Sequence, residues 1–287
     1  MKIIVIILTI LATYVIWQSI ELQKFRVTEY IVKTEKIQKE IRIAVIADLH
    51  CHEYGKENER LLSAIRQGRP DVILIPGDMI ISAYTEKYAI SLKFLQKISK
   101  IAPVYFSNGN HESRVDRLQS PYYESYRKYR SEMENMGICI LNNEKAFCQI
   151  NGNQCVFYGA DIPLECYEKG KINPLPNGFL SEELGQCSRE KFSVLLAHNP
   201  AYCEDYAEWG ADLILSGHMH GGLIRIPGIG SVISPQFKLF PKFDAGRFEI
   251  GKSTAVISKG LGTHTFHIRI FDRAELVMIE VKPLENH

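Results

Sequence analysis

Two kinds of hydrophobic spacing divide this chain. Ile3 to Ile20 reads IIVIILTILATYVIWQSI without a charged residue, and eighteen residues at roughly 1.5 Å of helical rise each cover about the hydrocarbon core of a bilayer. The pattern predicts a membrane-crossing helix with Trp17 at the interface. After Ile16 the chain continues Trp-Gln-Ser-Ile-Glu-Leu instead of the small residues of a cleavage site, which favours a retained anchor over a removed signal. Beyond it the periods shorten. VTEYIVKTEKI (27–37) alternates imperfectly, as a half-exposed strand does. Five brief apolar runs follow, IRIAVIA (41–47), DVILIPG (71–77), APVYFSNG (102–109), FSVLLA (192–197) and ADLILSG (211–217). Their β-branched content and near-continuous hydrophobicity suit strands covered on both faces.

Between these runs lie stretches of helical character, 57–68 ending at Gly68, Glu86 to Lys100, and 122–137 closing on Gly137. Strand, helix, strand in alternation implies α/β architecture with right-handed crossovers. Later the helices thin out, and 147–161 and the chain from Ser253 onward read as strands and hairpins. The expectation is an α/β domain with two sheets packed between helical layers. No repeat or linker divides it, so the chain reads as an anchor over 1–20, a short linker over 21–26 and one domain over 27–287.

Composition narrows the function. The 34 Lys and Arg against 33 Asp and Glu leave a net charge of +1, so no basic excess points to a nucleic-acid partner. Seven scattered cysteines form no Cys-x-x-Cys pair, which argues for buried thiols in a reducing compartment. Around the anchor, Lys24, Arg26, Lys33, Lys36 and Lys39 outnumber Lys2. The positive-inside bias therefore puts the large domain in the cytoplasm, although a short anchor with Lys2 inside would put it outside.

Every one of the five apolar runs ends in residues of metal-ligand type. They are, in order, Asp48 and His50, then Asp78, then Asn110-His111-Glu112, then His198, then His218 and His220. Singly, an Asp after a strand is a turn former or helix cap, and a histidine is commonly structural. Five strand ends bearing such residues would converge, because ligands of open α/β sheets bind beyond the carboxyl ends of the strands. If Leu213 to Gly222 continues extended, His218 and His220 share a side. Two aspartates, an asparagine and histidines without cysteine suit Mn, Fe, Zn, Co or Mg. The set is too large for one tetrahedral ion, and two ions about 3.5–4 Å apart are the natural reading.

In that order, Asp48-x-His50, Gly77-Asp78, Gly109-Asn110-His111-Glu112, His198 and Gly217-His218-x-His220 resemble the signature of the calcineurin-like metallophosphoesterases over about Ile41 to Gly222. IRIPGIG, LFPKFDAG and SKGLGT resemble its membrane-anchored bacterial branch, some members of which cleave UDP-diacylglucosamine; the chain departs from that branch at Leu223 and Ala274. The resemblance implies a four-layer α/β/β/α sandwich. It also implies that Asp48, His50 and His220 hold one divalent metal, that Asn110, His198 and His218 hold the second, and that Asp78 bridges them. His111 would be the catalytic proton donor or charge stabiliser while a metal-bridging hydroxide attacks phosphorus.

The function expected is thus hydrolysis of a phosphoester or pyrophosphate bond at the cell membrane. The tether favours an amphiphilic or nucleotide-linked lipid substrate. A catalytically silent metal-binding scaffold is the alternative, and the intact His111 speaks against it. A peptide metallohydrolase is disfavoured because no His-Glu-x-x-His occurs. Four features stay open: Glu112 as orienting carboxylate or helix-start acid, Arg114 as phosphate contact or solvated charge, His52, His264 and His267 as pocket edge or structural residues, and 162–191 as lid or plain surface loop.

Overall fold

A computed structural model of the chain describes residues 2–171, 173–222, 224–226, 230–234, 237, 239–263, 269 and 272–284. His264, His267 and Leu223 lie outside the described residues. Helix α1 (Lys2–Leu22) carries the apolar run and is long and apolar enough to cross a membrane. Strand β1 (Phe25–Thr34) follows after a two-residue break.

The first half of the domain then alternates as its spacing foretold: β2 (Ile41–Val45), α2 (Glu59–Gly68), β3 (Val72–Ile75), α3 (Tyr88–Ile98), β4 (Val104–Phe106), α4 (Asn110–Val115), α5 (Tyr123–Asn135) and β5 (Cys139–Ile140). Next come the hairpin β6 (Glu144–Ile150) and β7 (Asn153–Ala160), α6 (Phe179–Leu184), β8 (Phe192–Ala197), α7 (Cys203–Trp209) and β9 (Leu213–Ser216). A two-stranded ribbon β10 (Ile224–Ile226) and β11 (Gly230–Ile233) precedes β12 (Gly246–Ile250), β13 (Ser253–Ile257) and β14 (Ala274–Pro283).

Two mixed six-stranded sheets result, ordered β1-β14-β2-β3-β4-β5 and β12-β13-β9-β8-β7-β6. Side-chain alternation along each strand explains their stacking. In β3, Val72 and Leu74 join Phe157, Val194 and Leu215 in a core between the sheets, while Ile73 and Ile75 join Leu61, Phe94 and Tyr129 under the helices α2, α3 and α5. In β8, Val194 and Leu196 face the sheet interface, whereas Leu195 and Ala197 meet Leu180, Leu184 and Tyr206 of α6 and α7. Three apolar layers therefore separate four layers of structure, the α/β/β/α sandwich. The continuous apolar runs are a consequence of burial on both faces.

Within each sheet the neighbours β2, β3 and β4, and β8 and β9, are parallel, and the residues just past their carboxyl ends meet across the two sheets, so all five ends share one edge of the sandwich. Within the 162–191 excursion Leu175, Leu180 and Leu184 are buried in the outer layer, and Tyr167 reaches His198 and His218 at the strand ends.

Candidate metal centre

Asp48, His50, Asp78, His111, His198, His218 and His220 meet at this edge. Their donor atoms form three overlapping groups, Asp48-His50-His220, His50-Asp78-His111 and Asp78-His198-His218, each with its atoms within 4.8 Å of one another. The amide group of Asn110 lies 2.8 Å from His218 Nδ1 and 3.2 Å from the Arg114 guanidinium. Thus Arg114 is exposed, yet it touches the centre through Asn110.

The route by which the chain delivers these groups differs from simple strand alternation. Asp48, His50, Asp78, His218 and His220 all adopt left-handed backbone with φ between 48° and 67°, which L-residues populate sparingly. His218 and His220 therefore converge through a tight turn beyond β9, and not as i, i+2 neighbours of an extended strand. Strain of this kind concentrates at functional sites, where the surrounding packing enforces it. Gly217 is part of that enforcement. A Cβ there would collide with the Asp48 carboxylate, whose two oxygens accept the His218 main-chain N–H at 3.0 and 3.1 Å. Asn110 and His111 likewise open the short helix α4 instead of sitting in a loop.

Hydrogen bonds behind the histidines fix which nitrogen faces inward. His50 Nδ1 is 3.1 Å from the Ile80 carbonyl and His198 Nδ1 is 2.7 Å from the Pro76 carbonyl. A carbonyl can only accept, so Nδ1 carries the proton in both rings and Nε2 offers a lone pair, the arrangement common in metal-binding histidines. His111 is set the opposite way. Its Nδ1 accepts the Ser82 main-chain N–H at 3.0 Å, which leaves the proton on Nε2 and makes the ring a donor toward the centre. The Ser82 hydroxyl also donates to the His111 carbonyl at 2.8 Å, and the His111 N–H donates to Asp78 Oδ1 at 2.9 Å. Neither Ser82 nor the carbonyls of Pro76 and Ile80 carries a sequence signal for this role.

The donor set fits divalent cations. Two ligands on one ion, each at about 2.1 Å, stand about 3.0–3.4 Å apart. His50 Nε2 and His220 Nε2 are separated by 3.1 Å in one group, and His198 Nε2 and Asp78 Oδ2 by 3.1 Å in another. Asp78 Oδ2 also lies 3.8 Å from His50 Nε2, so this oxygen stands between the two groups. His198 Nε2 is fully buried and, while the ring is neutral, faces the Asp78 oxygen lone pair to lone pair, a cost that coordination would remove.

Charge in the metal-free centre is frustrated accordingly. Burial, with the neighbouring Asp78 charge, pushes Asp48 up to about 7. Burial would also raise Asp78, but His198, His111 and His50 together hold it well below the usual carboxylate range. For His198, burial disfavours the charged ring, yet Asp78 and Asp48 overcome it and lift the pKa to about 9. Metal uptake must displace both protons. Since both groups hold protons to higher pH than free Asp and His do, Mn²⁺ affinity should fall about tenfold per unit between pH 9 and pH 7, where His198 protonates, and more steeply below pH 7, where Asp48 also does. Calorimetric titration across this range measures the slope, and constant affinity from pH 6.5 to 8.5 would contradict it.

Glu112 answers one open question of the sequence. It is fully buried, and its carboxylate accepts four main-chain N–H groups: Asp78 (2.9 Å) and Gly109 (3.0 Å) on Oε2, Met79 (2.8 Å) and Ile80 (3.2 Å) on Oε1. Burial and then the Asp78 charge push its pKa up to about 8, while four donors favour the carboxylate. Each oxygen already faces two N–H groups, so the ionised form is the one this cradle accommodates. His52 is not in the three donor groups; its Nε2 lies 3.0 Å from the Leu22 carbonyl at the end of α1.

Residues 41–222 match the family model of the calcineurin-like phosphoesterases, well over half of the chain. The chain belongs to that family. It is a metal-dependent phosphoester hydrolase. This phosphoesterase is 25% identical to an uncharacterized metallophosphoesterase of Campylobacter jejuni over 96% of its own length and 68% of the relative's. It is 24% identical to the phosphodiesterase YaeI of Escherichia coli, with 84% and 82% covered, and 24% identical to the metallophosphoesterase YkuE of Bacillus subtilis, with 89% and 85% covered. Among solved structures, a Staphylococcus aureus protein assigned as a 5′-nucleotidase shares the fold at a TM-score of 0.50 and 11% identity, over 87% of this chain and 55% of that one.

Proposed function

We propose that this phosphoesterase cleaves a phosphodiester or pyrophosphate bond in an amphiphilic, lipid-linked substrate at the cytoplasmic face of the cell membrane. In this reading residues 1–20 anchor the chain and 27–287 form the hydrolase. Asp48, His50 and His220 hold one divalent ion, Asn110, His198 and His218 a second, and Asp78 both. Bound there, the ions supply a water made acidic near neutral pH and a positive field for the phosphoryl oxygens. Manganese, iron, zinc and cobalt all suit such donors.

The chain's own residues supply the rest. His50 and His198 are aimed by the Ile80 and Pro76 carbonyls, so their Nε2 atoms need no reorientation on loading. Asn110 contributes a neutral oxygen, which limits the negative charge opposing an anionic substrate. His111, held in the Nε2–H form by Ser82, delivers a proton to the departing oxygen or a hydrogen bond to the charge that develops on it. Tyr167 covers the His218 ring with centroids 5.1 Å apart and keeps water from that side.

The observation that carries this reading is the opposed setting of the histidines: two with lone pairs inward at the donor cluster and one with its N–H inward beside it. The lipid-linked substrate is supported by α1, on which Val5 to Leu8, Val15, Ile16, Trp17 and Ile20 are exposed while its last turn is seated beside the loop that bears His50. Full-length protein in mixed micelles with Mn²⁺ should hydrolyse a UDP-linked lipid with kcat/KM at least about tenfold above that for the same head group without acyl chains. Equal values for the two would remove the lipid from the proposal.

A further inference from the structure

One side chain of the apolar helix behaves unlike its neighbours. Val15, Ile16, Trp17 and Ile20 are 42–61% exposed, whereas Gln18 is 5% exposed. Its Oε1 accepts the Arg269 main-chain N–H at 3.1 Å and its Nε2 donates to the Arg269 carbonyl at 3.2 Å. A primary amide that meets both backbone groups of one residue replaces the pairing a strand partner would give, so both groups are satisfied away from water.

Arg269 passes the contact on. Its guanidinium, also 5% exposed, donates to the carbonyls of Lys259 (3.0 Å), Gly260 (3.1 Å), Gly262 (2.6 Å) and Asp272 (3.1 Å). Three of these belong to the loop that follows β13. That loop lies directly against Asp48: the Leu261 N–H donates to the Ala47 carbonyl at 3.0 Å, the Gly262 N–H donates to the Asp48 carbonyl, and a side chain at Gly260 would strike the Asp48 carboxylate. An unbroken series of polar contacts thus runs from the apolar helix through Arg269 and residues 259–262 to Asp48. The end of the helix is fixed separately, by His52 at the Leu22 carbonyl and by Arg60, which donates to the Gln23 carbonyl at 2.8 Å.

We propose that Gln18 is a positioning residue of the metal centre, and that seating of the apolar helix on the domain is coupled through it to metal retention. This rests on the reading of Asp48 as a metal ligand. Asp48 adopts left-handed backbone at φ 52°, a conformation that persists only while its surroundings impose it. The 259–262 loop is one of those surroundings, and Arg269, held by Gln18, is one of its supports beside Glu275, which accepts the Lys259 N–H at 3.0 Å, and Tyr54, whose hydroxyl donates to the Leu261 carbonyl. A helix drawn away from the domain would remove the Gln18 contacts from Arg269 and loosen that support, and with it the alignment of Asp48. The anchor would then be a regulator of the metal centre as well as a tether.

The test uses the full-length protein in detergent micelles, with Mn²⁺ affinity measured by calorimetry and Tm measured alongside. Gln18→Ala and Gln18→Leu should bind Mn²⁺ roughly tenfold more weakly, the size of effect seen when supports of metal ligands are removed. Gln18→Glu keeps the acceptor for the Arg269 N–H and loses the donor, so it should fall between them and the parent. Ser19→Ala, which removes a hydroxyl that donates to the Val15 carbonyl of its own helix, should leave affinity unchanged. Saturating Mn²⁺ should restore the turnover of all three Gln18 variants, a rescue that general loss of folding would not give. Gln18→Ala affinity within twofold of the parent overturns the proposal, and so does weakening that excess metal fails to rescue. Should Gln18→Ala not fold, Gln18→Glu decides by the same two criteria. Asp48→Asn separates the two readings: if it keeps full Mn²⁺ affinity, the ligand assignment itself fails, and if it loses metal while the Gln18 variants do not, only the coupling fails.

Discussion

Replacing His111 by asparagine is expected to lower kcat by about 10²–10⁴, the usual loss when a positioned proton donor is removed, with Mn²⁺ affinity kept within a few-fold. The two halves of this outcome have separate causes. The His111 main-chain N–H orients Asp78 through Oδ1, and asparagine retains it. The ring's Nε2–H, set by the Ser82 N–H on Nδ1, is lost. The loss should grow as the leaving group becomes more basic, because an aryl oxide departs without a proton and an alkoxide does not. Ser82→Ala removes the hydroxyl's contacts but keeps the amide that fixes the tautomer, so its kcat should stay within about tenfold. Steady-state kinetics on an aryl and an alkyl phosphodiester, with metal content measured on the same samples, checks all of this. Unchanged turnover of the alkyl ester would remove His111 from the proton-donor role. A fall in metal content beyond tenfold would make His111 a ligand, as its place beside His50 and Asp78 also permits sterically.

The sequence carried the sandwich because its strands are buried on two faces: β3 is apolar at every position and β8 at all but Ser193, and burial of that kind is visible as composition. It also carried the residues whose donor atoms cluster, because each lies just past such a run. What it could not carry are contacts made by atoms common to all residues. The carbonyls of Pro76 and Ile80 and the amide of Ser82 decide which nitrogen each histidine presents, and main-chain groups leave no trace in residue identity. The left-handed turns at His218 and His220 were hidden for a related reason. Two histidines at i and i+2 suit an extended strand as well as a turn, and it is the glycines around them and the crowding of Asp48 against Gly217 that select the turn. Gln18 was masked by its surroundings, since a single amide in an apolar run reads as tolerated polarity until its two partners on Arg269 are placed.

Glu112 is the residue whose loss should cost the fold most. Glu112→Ala would leave the N–H groups of Asp78, Met79, Ile80 and Gly109 buried without an acceptor. At about 1–3 kcal/mol for each buried unsatisfied group, and with partial relaxation or entry of water, stability should fall by about 4 kcal/mol or more. Such values are confined to a few mechanisms, and loss of a buried polar network is one of them. The same change frees the 78–80 turn, where Asp78 holds a left-handed φ of 57° and the Ile80 carbonyl orders His50, so Mn²⁺ affinity should drop together with stability. Glu112→Gln distinguishes charge from shape. Glutamine keeps one acceptor oxygen but turns an NH₂ toward two of the donors, and its cost should approach that of alanine even though its volume is nearly that of glutamate. Denaturant unfolding of the two variants with and without Mn²⁺ measures the effect. A cost below about 1 kcal/mol for Glu112→Gln would mean that the four N–H groups find water instead, and that Asp78 is held by its metal-site neighbours alone.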